Sequence, residues 1–152
     1  MASAALPLSA APDARRSVNN RNMKDNIKAF IIGFIVIAVL SWLALLTMDA
    51  LETAYIGLLA WASPVIGAFI TAIMAKSRKL ALAFLLALPS AIIFGIENYL
   101  WQLLGRGSDF PGFKGFVTLV CLEFIIAIIL CGIGGLAGTF IAKRKFKTSS
   151  EN

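Results

Sequence analysis

Glu97 and Glu123 are acids in expensive places. The other acidic residues fall in a terminus or a short connection, whereas these two lie within long apolar stretches. A carboxyl in such surroundings must be held neutral, paired, or put to use with a proton or cation, and acids at membrane depth are biased toward function. Their positions suggest a pair. Each is seven residues from the outer end of its segment (104 − 97 and 123 − 116), which is ~10 Å at ~1.5 Å per helical residue. At 100° per residue, Glu97 falls ~20° from Ser90 and ~40° from Ala83, and Glu123 falls ~20° from Gly134 and ~40° from Ala127. Both should therefore face other helices. Two carboxyls at close range cannot both ionise cheaply, so the pair would share a proton. Asn98 lies beside Glu97, and Trp42 and Trp61 lie at similar depth on the other segments. Together these five residues describe a vestibule in which carboxylates and ring faces meet a cation or proton. A plainer reading places Glu97 at the membrane interface and has Lys114 or Arg106 neutralise Glu123, with Trp and Tyr collecting at the interface as they commonly do.

The segments that would position these residues are plain. Uncharged runs cover Ala29–Met48, Thr53–Ala75, Leu80–Ile96 and Phe124–Ala142. Each, slightly extended, reaches the ~20 helical residues needed to cross a bilayer. The composition agrees: 59% of residues are hydrophobic and 14% charged, against ~25% charged in soluble domains. Barrel strands are excluded because Phe30–Leu46 is apolar on every face rather than alternating. The expectation is an all-α integral membrane protein with four helices in an antiparallel up-down bundle, spanning about 27–48, 54–75, 80–104 and 116–142. Residues 1–26 are expected to be a disordered segment and 143–152 a basic tail. Pro89 should kink the third span.

Charge orients the bundle. Of 14 basic residues, twelve precede or open span one, join spans two and three, or follow span four, and only Arg106 and Lys114 fall in the other connections. This satisfies the positive-inside rule and places both termini in the cytoplasm, most simply at a bacterial inner membrane. The same asymmetry accounts for the net charge of +6 without a nucleic-acid partner.

Membrane helices associate where small residues let backbones approach. Three segments carry such residues at four-residue spacing: Ser63, Gly67, Thr71 and Ala75; Ala83, Ala87, Ala91 and Gly95; and Ala127, Cys131, Gly135 and Thr139, with Gly134 and Gly138 alongside. Span one, with Ala29 and Gly33, reads as the most lipid-exposed. These faces would close the bundle or receive the helices of a second copy or another membrane protein.

Enzyme chemistry finds little footing. The chain has no histidine, which removes His-based nucleophile pairs and metal sites. Cys121 and Cys131 share one helix ~15 Å apart, too far for a disulfide. The glycines of Gly132–Gly138 lack the strand and the Lys-Ser/Thr of a phosphate loop. No catalysis, cofactor or metal is expected. The sequence points to a small membrane protein that moves or senses a cation or proton at Glu97 and Glu123, or else to a non-catalytic subunit or assembly factor.

Overall fold

The computed structural model describes the backbone of residues 12–51, 57–103 and 112–148, and the side chains of 20–47, 58–103 and 112–144. Apart from a short turn at 75–78 and the break at Leu86, the described residues are helical, with no strand among them: α1 (Pro12–Leu51), α2 (Gly57–Met74), α3 (Lys79–Leu85), α4 (Ala87–Leu103) and α5 (Gly112–Thr148). Three stretches are long and apolar enough to cross a membrane: Asn20–Thr47 in α1, Lys79–Leu103 across α3 and α4, and Gly112–Arg144 in α5. The remaining apolar helix, Leu58–Met74 within α2, is shorter. The start of the expected second span and most of the two expected outer connections, with Glu52, Tyr55 and Arg106, lie outside the described residues.

Two helices extend past their expected bounds. Pro12–Asn26, read from composition as disordered, forms the first part of α1. A proline at the first helical position gives up an N–H that would have no helical acceptor there. The apolar helix beyond it supplies the nucleus that a polar segment alone could not. α5 begins at Gly112 instead of Phe116. Gly112 has φ +80°, a left-handed conformation that glycine adopts without steric cost.

The third span is broken at Leu86, three residues before Pro89. The Leu86 N–H bonds to the Ala83 carbonyl at 3.3 Å, a tightened turn, and helix resumes with Ser90 N–H donating to Leu86 O at 3.0 Å. Proline has no N–H for the Leu85 carbonyl and its ring crowds that oxygen, so the rod divides as the sequence anticipates. Pro64 in α2 also removes a donor, the one for the Ala60 carbonyl. Here the neighbouring Ser63 hydroxyl donates to Ala60 O at 2.7 Å, and the helix continues.

α2 is the packing centre, with its largest contacts to α1 and α5. All members of the three small-residue ladders are buried except Thr139, which is half-buried. Their role is steric. A methyl group built on Gly67 would lie 2.7 Å from the Gly33 carbonyl oxygen and overlap Ile37. One on Gly134 would overlap the Val65 carbonyl, and one on Gly135 would lie 2.6 Å from the Ala83 methyl. Such approach distances require glycine, and dispersion across them is what holds helices together where lipid removes the hydrophobic drive.

α1 corrects one expectation. It buries the stripe Ala29, Gly33, Ile37, Ser41 and Ala44, and α5 leaves more of its apolar window exposed than α1 does. From Ala29 to Ser41 the stripe keeps the four-residue spacing of the other ladders but includes Ile37, a large residue received by the notch at Gly67. At the basic end, Asn26 ties α1 to the turn between α2 and α3. Its Oδ1 accepts from Lys76 N–H at 3.1 Å and Ser77 N–H at 3.2 Å, and its Nδ2 donates to Ser77 Oγ at 2.8 Å. That turn places Arg78 at φ 49°, in the left-handed region.

Candidate functional site

Glu97 is carried on the face of α4 that buries Ala87, Ser90 and Phe94, a three-four-three spacing that keeps one side of a helix inward. It is 3% exposed. Its Oε2 accepts a 2.6 Å hydrogen bond from Ser41 Oγ on α1, and its Oε1 has no hydrogen-bond partner. The interfacial reading, in which Glu97 touches water, does not describe this geometry. An enclosed acceptor left unmatched costs ~1–3 kcal/mol, more when charged. One other described side-chain atom is enclosed and unmatched in this way: Ser90 Oγ, on the same face of α4.

Glu123 stands differently. It is half-buried, and it lies close enough to Glu97 for the two carboxyls to interact electrostatically. They share no hydrogen bond, since the bonded oxygen of Glu97 is engaged by Ser41 and the other by nothing. Nor are they level. Tyr99 meets Phe116 edge-on at 6.2 Å, and Gly95 faces Val120. This register sets Glu97 beside about Thr118, so Glu123 begins ~7 Å further along the bundle. The proton-sharing pair expected from equal depth is instead one enclosed carboxyl with a second, half-buried carboxyl nearby.

The other anticipated residues do not converge on Glu97. Asn98 Nδ2 donates to the Phe94 carbonyl of its own helix at 2.9 Å. Trp42 and Trp61 are 37% and 47% exposed, facing outward from the packed helices. Lys114 is exposed as well. Ser41 is the residue that sequence reasoning missed. Its signal was present in the stripe Ala29, Gly33, Ile37, Ser41, which one isoleucine disguised.

A separate cavity of about 370 Å³ opens between α4 and α5, lined by Ile96, Tyr99, Phe113 and Phe116. It is apolar and includes neither carboxyl. Among the described residues no group of three or more His, Cys, Asp or Glu could hold a metal ion.

Fold and site thus define a class: a chain helical across its described residues, with three apolar stretches of membrane length and a carboxyl enclosed between two of them. Comparison with protein-family models, with curated proteins and with solved structures finds no match that would narrow this further.

Proposed function

We propose that this chain is a four-helix integral membrane protein that moves or senses a proton or small cation at Glu97, with Glu123 as the modulating second charge. The observation that carries the reading is the enclosed Glu97 carboxyl, with one oxygen held by Ser41 and the other unmatched. A site built only for packing would place an apolar residue here, because a buried polar atom without a partner is a net cost.

An up-down arrangement is supported by contacts that run oppositely along neighbouring helices: Asn26 with Ser77, Ala29 with Thr71, Gly33 with Gly67. Cytoplasmic termini are supported by the basic residues near Asn26 and in the last turns of α5, and a bacterial inner membrane is the simplest setting for them. The subunit or assembly-factor reading relied on small-residue faces, and those faces are already occupied within the chain.

Reconstitution in vesicles tests the proposal. Glu97→Gln keeps the shape and an acceptor for Ser41 while removing the titrating group. It should reduce flux driven by an imposed pH gradient at least about tenfold, as loss of a proton-transfer group does, with unchanged elution from a sizing column. Wild-type flux in the variant would refute the reading.

A further inference from the structure

Ser90 is the second enclosed and unmatched polar group, and nothing above gives it a task. It is fully buried. It lies seven residues before Glu97 (97 − 90), so the two share a helix face at ~20° and stand ~10 Å apart along the axis. Helical side chains lean toward the N-terminus, and on α4 that is the Ser90 side of Glu97. A relay over the distance left requires about two hydrogen-bonded water molecules at ~2.8 Å per bond, admitted past the buried Ile93 and Phe94. Beyond Ser90, in the direction of the basic turn, lies the break at Leu86, where Pro89 deprives the Leu85 carbonyl of its helical donor.

We propose that Ser90 is a proton relay on the basic-end side of Glu97, and that the ion served by this site is the proton. The inference rests on the reading of Glu97 given above. The donor set selects the proton over a metal cation. Hard metal ions take about six or more oxygens, whereas the enclosed, unmatched side-chain oxygens here are Glu97 Oε1 and, two turns away, Ser90 Oγ, and Glu123 begins about five residues further along the bundle. A proton needs one oxygen at a time. In the transfer, the Oε1–H bond of neutral Glu97 breaks and its proton passes to water. That water, carrying the excess proton, protonates Ser90 Oγ. The serine releases its original hydroxyl proton to water on the basic-end side, and the carboxylate left at Glu97 is reprotonated from the opposite side. The charged groups facing Glu97 from the packed helices are few: Glu123 on α5, and no ionisable residue within Gly57–Met74 of α2. From α1 the facing group is the Ser41 hydroxyl.

Infrared hydrogen–deuterium exchange on the full chain in lipid vesicles tests the relay. The protonated-carboxyl stretch of Glu97 is identified by its loss in Glu97→Gln. Ser90→Ala should slow deuteration of that band at least about tenfold. Ser90→Thr, which keeps a hydroxyl, should restore the rate, and Ser63→Ala, at a serine whose hydroxyl already has a partner, should leave it unchanged. An unaltered rate in Ser90→Ala overturns the relay while leaving the Glu97 reading intact. Absence of any band lost in Glu97→Gln overturns both.

Discussion

The seams that α1 makes with α2 and with α4 are built on opposite principles. Against α2 it lays backbone on backbone at Gly33 and Gly67, and the interhelical polar groups are matched: Thr71 Oγ1 donates to the Ala29 carbonyl at 3.2 Å, and Asn26 clamps the turn beyond. Against α4 the contact is smaller, and its centre is the Ser41–Glu97 bond with one carboxyl oxygen unmatched. A seam that spends its polar atoms on structure has none left for chemistry. The seam that leaves one unmatched is the one in which the proposed proton site lies.

Substitutions across the two seams should separate these roles. The largest effect on assembly is expected from Gly67→Leu. A single methyl there already overlaps Ile37, and even one inserted methylene costs ~1–3 kcal/mol in a packed core. The folded fraction in detergent should collapse, read as aggregated material on a sizing column. Next comes Asn26→Ala, which removes three hydrogen bonds at the turn. Their exposure to solvent limits the loss to ~1–2 kcal/mol, visible as a lower Tm with flux unchanged. Thr71→Val keeps the shape and deletes one interhelical bond, for which ~0.6 kcal/mol is typical inside a membrane. If Thr71→Val abolished flux while Glu97→Gln did not, the division of labour between the seams would be reversed.

The parts of this molecule that were readable in advance are those governed by periodicity and volume. Apolar runs located the helices, Pro89 located a break, and residues such as Gly67, Ala87, Gly95, Gly135 and Gly138 lie on buried faces because small size at fixed spacing has one main use in such helices. Depth counted from span ends failed for Glu123, since α5 starts at Gly112 and the register with α4 is set by Gly95, Tyr99 and their partners. Ring type alone also misled at Trp42 and Trp61, because helical phase, and not depth, decides which way a side chain points. The partner of Glu97 could not be identified from α4 at all. It sits 56 residues away on a helix whose inward stripe is masked by Ile37.

The fit of Ile37 into the space beside Gly67 carries an evolutionary consequence. The two positions share a single allotment of volume, so neither can drift alone. A descendant gaining a methyl at 67 must shed bulk at 37 and also ease the helix away from the Gly33 carbonyl, so the intermediate bearing only the first change is purged. Any divergent copies of this chain should therefore show the two sites changing together, a correlated pair joining α1 to α2 that alignment alone would reveal.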